Sequence, residues 1–368
     1  MKIAVVFGTR PEAIKLAPVV REIERRGQKP LVIVTAQHRH LLDQELRLFE
    51  LQPEYDLNIM TEDQSMFDVT VNVLTKLGAI FQKDKPDVVL LQGDTTTTMA
   101  TSLAAFYHRI AVGHVESGLR TWNKYNPYPE EINRQLTTRI ADFHFAPTEW
   151  SRANLQKEGV PPKNIFVVGN TVVDALLWVL KHQEQEDIPE LKGVNFKGQK
   201  MILVTAHRRE SFGKPLENIC QACTQLVDTF HDVVLVYPVH PNPNVRKTVF
   251  GHLKENSRIH LIEPVDYPAF VHLMQECYLI LTDSGGIQEE APSLGKPVLV
   301  LRETTERPEA IEAGTAKLVG TDPEAIVRET ATLLTDAEAY RGMTTEANPF
   351  GDGTAATRIV DIVLTHQT

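Results

Sequence analysis

The sequence predicts an α/β protein made of two doubly wound domains, and three observations carry that reading. Short apolar runs rich in β-branched residues alternate with helix-like segments almost from end to end. The runs are continuous rather than alternating in polarity, which marks strands buried on both faces, hence parallel sheets covered by helices. They also fall into two series separated by a polar, charged stretch, and 368 residues is about the length of two domains.

In the first series KIAVVFG (2–8), PLVIVTA (30–36), PDVVLLQGD (86–94), IAVGHVE (110–116), FHFAPT (143–148) and NIFVVGN (164–170) read as strands. A helical pattern follows most of them, giving right-handed βαβ units. The second series comprises KMILVTAHRRE (200–210), DVVLVYPVH (232–240), RIHLIEP (258–264), CYLILTDSGG (277–286), KPVLVLRE (296–303) and AKLVGT (316–321). Between them, KHQEQEDIPELKGVNFKGQK (181–200) has the composition of a linker. We place the first domain at 1–170, a linker region at 171–195 and the second domain at 196–351. A final helix over about 352–368 returns to the first domain.

Thirty-eight Lys and Arg stand against 48 Asp and Glu, a net charge of −10. Such a chain lacks the electrostatic footprint of a nucleic-acid or membrane-surface binder, so an anionic ligand must be held by a local cluster. No apolar stretch is long enough for a membrane helix, and the N-terminus lacks a signal-peptide pattern, which points to a cytoplasmic protein. Three cysteines give no disulfide framework. Cys220 and Cys223 form a C-x-x-C, but ENICQACTQLV reads as mid-helix, where two core-facing thiols are expected. No zinc-type spacing occurs, so no metal is expected.

In open parallel sheets ligands bind outside the carboxyl ends of the strands. The first strand ends in GTRPEAIK, where Arg10 and Lys15 suit an anionic group and Pro11 and Glu12 suit a helix start. This turn is not G-x-G-x-x-G, which argues against a dinucleotide. QGDTTTT brings Asp94, either a helix cap or a reacting group. GHVESGLRT brings His114, Glu116 and Arg120, and NPYPEEINR brings Glu130, Glu131 and Arg134. Asp94, Glu116 and Glu130 thus gather on one edge of one domain. In the second domain, TAHRRES offers His207, Arg208, Arg209 and Glu210, and VYPVHPNP offers His240. LILTDSGGIQEEA is a strand, a Ser284-Gly285-Gly286 turn and a helix start, an arrangement suited to a diphosphate. Glu289 and Glu290 follow, and RETTERPEA adds Arg302, Glu306 and Arg307 as a further basic site.

GTRPEAIK, QGDTTTT, HVESGLR, PEEINR, GNTVVDAL, HRRES, YPVHPNP, DSGGIQEEA, GKPVLVLRETTERPEA and NPFGDG occur in order over essentially the whole chain. Together they resemble the non-hydrolysing UDP-N-acetylglucosamine 2-epimerases. Ser117, where many members have Ala, and Phe350, where Tyr is common, are small departures. The resemblance implies a fold like that of B-type glycosyltransferases: two Rossmann-like domains with the active site in the cleft between them, in a homodimer. It implies reversible conversion of UDP-N-acetylglucosamine to UDP-N-acetylmannosamine with no NAD and no required metal. Catalysis would fall to Asp94, Glu116, Glu130 and His207. Substrate binding would fall to Arg10, Lys15, Ser284, Gly285, Gly286, Glu290 and Arg307, with Phe270 packing on uracil and backbone near Val265 completing base recognition. Some members carry an activating second ligand site, to which Gln37, His38, Arg208 and His240 correspond; His40 and Asp63 depart from that pattern. Residue chemistry alone leaves three alternatives open: a hydrolysing epimerase, a glycosyltransferase using a UDP-sugar, and a nucleotide-sugar-binding protein. The carboxylates disfavour the last, because binding alone does not need them.

Overall fold

All twelve apolar runs form strands in the computed structural model, which describes every residue except 36–38, 60–63, 183–187, 193, 195, 197, 345–346 and 367–368. The first seven strands are β1 (Ile3–Phe7), β2 (Leu31–Val34), β3 (Tyr55–Asp56), β4 (Val88–Gln92), β5 (Ala111–Val115), β6 (Phe143–Ala146) and β7 (Ile165–Val167). They make one sheet in the order β3-β2-β1-β4-β5-β6-β7, with every neighbouring pair parallel. The second sheet takes β8 (Lys200–Thr205), β9 (Val233–Pro238), β10 (Ile259–Ile262), β11 (Leu279–Thr282), β12 (Val298–Val300) and β13 (Ala316–Leu318). Its order is β10-β9-β8-β11-β12-β13, again parallel throughout.

Every residue of β1, β4 and β11 is buried, as the unbroken apolar runs require when helices cover both faces. The strand order reverses once per sheet, between β1 and β4 and between β8 and β11. Such switch points leave a crevice at the carboxyl edge, because the connections on either side depart in opposite directions. The sequence missed only β3, two residues at a sheet edge with no apolar run to announce them.

The chain divides into two units, Met1–Trp178 with Phe350–Thr368, and Val179–Pro349. The segment expected to open the linker is instead the helix Thr171–His182. Its TVVDALLWVL stretch carries apolar residues at helical spacing, with Val172, Val173, Leu176 and Val179 buried. The same helix anchors the end of the chain. Asp174 accepts the Ala355 and Ala356 backbone N–H groups at 3.3 and 2.9 Å, capping the helix Ala355–Thr365. That helix packs on Arg10–Arg25 through buried Ile359, Val360 and Val363, and Arg26 pairs with Asp361 at 2.5 Å. Burial raises the Asp174 carboxyl to about 6.

In the second unit Cys220 and Cys223 lie in the core face of the helix Lys214–Thr229. Burial pushes the Cys220 thiol up to about 12, so the pair is packing rather than redox chemistry. No helix among the described residues is long and apolar enough to cross a membrane.

Candidate functional site

In the first unit the β1 and β4 loops are stitched together by one carboxylate. Glu12, 2% exposed, accepts from the Gly8 and Thr9 backbone N–H groups at 2.8 and 2.7 Å, and from Thr9 Oγ1 at 2.9 Å. It also accepts from Thr95 Oγ1 at 2.6 Å and Thr98 Oγ1 at 3.0 Å, across the switch point. Burial raises its pKa against these donors. By sequence Glu12 was placed only at a helix start; the Thr9-x-x-Glu12 capping-box pattern is the local signal that could have marked it.

Asp94 is not the cap of the helix it precedes. Thr95 holds that role, accepting the Thr98 backbone N–H at 3.1 Å. Asp94 instead receives Arg134, with Oδ2 2.9 Å from Nε and 2.6 Å from the terminal nitrogen, while Asn133 donates to its carbonyl at 2.9 Å. Both partners lie on the helix Glu130–Ile140. Glu130 opens that helix, and its Oε2 is buried with no hydrogen-bond partner among the described residues.

Glu131, fully buried, accepts the Thr121 and Trp122 backbone N–H groups at 3.0 and 3.1 Å. By sequence it is an acidic residue in a first turn, whereas in the structure it tethers the loop to the helix.

Glu116 follows β5 with φ at +60°, a left-handed conformation that costs a non-glycine residue about 1–3 kcal/mol and clusters at functional sites. Its carboxylate is 9% exposed as a residue, binds Lys15 Nζ and accepts from Gln92 Nε2 at 2.7 Å. Arg10 donates through Nε to buried Glu45 at 2.7 Å. The expected carboxylates and cations of this edge are therefore held in separate pairs around the β1, β4 and β5 ends, Lys15 with Glu116, Arg134 with Asp94 and Arg10 with Glu45.

Two residues drawn from the same motifs are structural. His114, fully buried, meets the Gly93 carbonyl at 2.7 Å through Nε2, and burial pushes it down to about 3, so it braces the turn before Asp94. Arg120 pairs with Glu158 at 2.5 Å and reaches Thr138 Oγ1 at 2.7 Å, inside the unit.

The second unit builds its edge from the β8 and β11 ends. Asp283 closes β11 and accepts the His207 and Arg208 backbone N–H groups, both at 2.8 Å. His207 stacks on His240, centroids 5.0 Å apart and planes 5° from parallel. Ser284 precedes the short helix Gly285–Glu290. A Cβ on Gly285 would stand 2.7 Å from the Arg307 guanidinium, so glycine is what lets that side chain lie against the turn. Arg307 is held by Glu289 at 2.9 Å and by Glu306 at 3.4 Å. At Gly286 a Cβ would meet nothing closer than 3.8 Å.

Glu306 organises the basic cluster. Burial opposes its ionisation, yet the Arg307, Arg302 and Arg208 charges bring it down to about 2. Arg302 also pairs with Glu210 at 3.3 Å. Tyr267 donates to Glu290 at 2.6 Å, which ties the glycine turn to the helix Tyr267–Glu276 carrying half-buried Phe270, with Val265 just before it. Gln37, His38 and Asp63 lie outside the described residues. Arg208 and His240 are both present beside His207, in the positions just given.

A model of the UDP-N-acetylglucosamine 2-epimerase family matches residues 21–364. The UDP-N-acetylglucosamine 2-epimerase of Bacillus subtilis is 53% identical over 367 residues, covering 100% of this chain and 96% of the relative. A crystal structure of UDP-GlcNAc 2-epimerase from Neisseria meningitidis bound to UDP-GlcNAc is 48% identical, with TM-score 0.90 and 100% of each chain covered. The Methanocaldococcus jannaschii UDP-GlcNAc 2-epimerase, in complex with UDP-GlcNAc and UDP, is 37% identical with TM-score 0.83, again over 100% of each chain.

Proposed function

This chain belongs to the family of UDP-N-acetylglucosamine 2-epimerases, isomerases of a nucleotide sugar, and from that premise we propose that it inverts C2 of UDP-N-acetylglucosamine to give UDP-N-acetylmannosamine without net hydrolysis. The C2 proton has no neighbouring carbonyl to acidify it. Breaking the C1–oxygen bond builds oxocarbenium character at C1, and that makes the C2 proton removable. A base takes the proton, C1 and C2 become doubly bonded, and 2-acetamidoglucal and UDP result. Protonation at C2 from the opposite face and return of the UDP oxygen to C1 give the epimer. The route is redox-neutral and needs no nicotinamide, and the charge of the departing UDP is assigned to protein groups rather than to a metal.

The observation that carries the reading is the gathering of proton-handling and anion-holding groups at the two switch points. In the first unit Asp94, Glu116 and Glu130 are assigned to proton transfer, each held at the end of a strand or the start of a helix. In the second unit Ser284, Gly285, Gly286 and Arg307 are assigned to the diphosphate, Glu290 to the ribose, and Phe270 with the backbone at Val265 to uracil. His207 and Arg10 would stabilise the departing UDP, with Lys15 beside Glu116. Incubation with UDP-N-acetylglucosamine in D₂O tests this by NMR. Deuterium at C2 with the UDP linkage intact is expected. Accumulation of free N-acetylmannosamine and UDP would establish the hydrolysing reaction instead, and an unexchanged substrate would point to a transferase or a binding protein.

The open space at Gly286 allows a sharp test of the anion site. Gly286→Val should fold normally while UDP binding weakens by roughly 10–100-fold, the cost of about one or two lost phosphate hydrogen bonds. Calorimetry showing unchanged UDP affinity would remove the diphosphate from this turn.

A homodimer completes the proposal. Phe67 and Val71 on the helix Met66–Asp84 are 83% and 61% exposed, and Phe106 and Tyr107 at the end of the packed helix Thr96–Tyr107 are 60% and 68% exposed. Leu136 on the next helix is also exposed. Exposed apolar side chains on adjoining helices are what a second copy would cover. Sedimentation showing only a monomer would overturn it.

A further inference from the structure

The Asp283 carboxylate is fully buried, and its two oxygens live very differently. Oδ2 accepts three hydrogen bonds, from the His207 and Arg208 backbone N–H groups at 2.8 Å and from Ser211 Oγ at 3.0 Å. Oδ1 has no hydrogen-bond partner among the described residues. A buried carboxylate oxygen left without a donor is unfavourable and calls for a reason. The nearest candidate is the ring of His207, whose Nδ1 stands 3.7 Å away. That is longer than a hydrogen bond but within ion-pair range, so a small turn of the ring would bring Nδ1–H onto Oδ1.

We propose that Asp283 is a positioning residue for His207, fixing the imidazole with its proton on Nδ1 so that Nε2 is the nitrogen presented to the leaving UDP. The inference rests on the epimerase reading for what His207 meets, and on geometry alone for how the ring is held. A neutral imidazole carries one ring proton, and the hydrogen bond at one nitrogen decides which nitrogen that is. The His207 pKa is lowered, first by burial, with His240 and Arg208 acting in the same direction and Asp283 and Glu210 against it, which favours the neutral ring. Stacking on His240 restrains the ring from turning over. His240 itself accepts the Asn242 backbone N–H through Nδ1 at 3.1 Å, so its own proton is on Nε2. When the diphosphate binds, Nε2 picks up one proton from solvent and the ring meets the departing phosphate oxygen as an imidazolium, with Asp283 balancing the charge from behind; the proton returns to solvent when the epimer leaves. One residue thereby joins the β8 loop to the glycine turn after β11.

Asp283→Asn is the informative exchange. The three donors at Oδ2 oblige the new side chain to put its carbonyl oxygen there, which leaves its NH₂ facing His207 Nδ1 as a donor. The ring proton must then move to Nε2. ¹⁵N spectra of the full chain should show His207 protonated on Nδ1 in the native sequence and on Nε2 in the variant. Turnover of UDP-N-acetylglucosamine should fall by on the order of 10²-fold or more, while UDP affinity stays within a few-fold. A role confined to bracing the loop would leave the tautomer unchanged. His207 protonated on Nε2 in the native protein would overturn the proposal, as would near-native turnover in a variant whose tautomer has reversed. If the variant does not fold, the native tautomer alone decides. Failure of the epimerase reading would show separately, as no C2 exchange in the native protein whatever the tautomer.

Discussion

Asp94→Asn and Glu130→Gln are each expected to lower the rate of C2 exchange by about 10²–10⁴-fold while leaving UDP affinity within a few-fold of native. Inversion needs a proton removed on one face of the sugar and one delivered on the other, so at least two groups, or one mobile group, must reach C2. Glu130 has a buried carboxylate oxygen with no partner among the described residues, which is what a group awaiting a substrate proton looks like. Asp94 is relieved of helix capping by Thr95 and is aimed instead by Arg134. Its amide replacement would also weaken a pair with a nearly buried guanidinium, so a melting curve must accompany the rate. Glu116→Gln should fall in the same range, and it should also loosen Lys15. Turnover within a few-fold of native in a folded variant would make that carboxylate structural.

Acid should destabilise the first unit from about pH 6.5 downward, through its buried histidines. His114 is held near 3 and His144 near 4, both through burial first, whereas an unfolded histidine titrates near 6.5. Below pH 6.5 the unfolded chain therefore binds protons at both rings while the folded chain binds them at neither, and stability falls as pH falls. The stability is present above 6.5 and is lost at about 1.4 kcal/mol per pH unit for each ring, about 4 kcal/mol for the pair by pH 5. Asp174, raised to about 6, works in the opposite sense between 6 and 3.8: the folded chain holds a proton there that the unfolded chain has released. Over the same interval it restores about 1 kcal/mol, and raised Glu12 acts in that direction too. The clean measurement is thus a difference in slope. Urea unfolding of His144→Gln between pH 6.5 and 5 should lose about 1.4 kcal/mol less per pH unit than native. Parallel slopes would mean that the ring is protonated in the folded state.

Much of the architecture was legible because burial on both faces leaves a signature in sequence: an unbroken apolar run. Where burial is one-sided or brief, as at Tyr55–Asp56, there is no such run to read. The strand ends singled out the candidate residues, since parallel strands deliver their last residues to one edge. Local spacing did not reveal direction. His114 and Glu116 are two residues apart, yet one meets the Gly93 carbonyl and the other, in a left-handed backbone, meets Lys15 and Gln92. Asp94 could be read as a cap or as a reacting group, and only the fold gave the cap to its neighbour Thr95. Partners far apart in the chain were invisible altogether. Glu12 meets Thr95 and Thr98, and Asp283 meets His207, across about eighty residues each, and nothing in either motif names its counterpart.

The helix Ala355–Thr365 bears on how the molecule comes into being. It belongs to the first unit, but the whole of Val179–Pro349 is translated before it. At synthesis rates of about 5–20 residues per second that interval lasts on the order of 10–30 s. For that time the nascent first unit presents the apolar flank of Arg10–Arg25 without its cover, and Asp174 waits with no helix to cap. Of the two units, the one whose translation begins first is completed last, and until then its apolar flank stays uncovered.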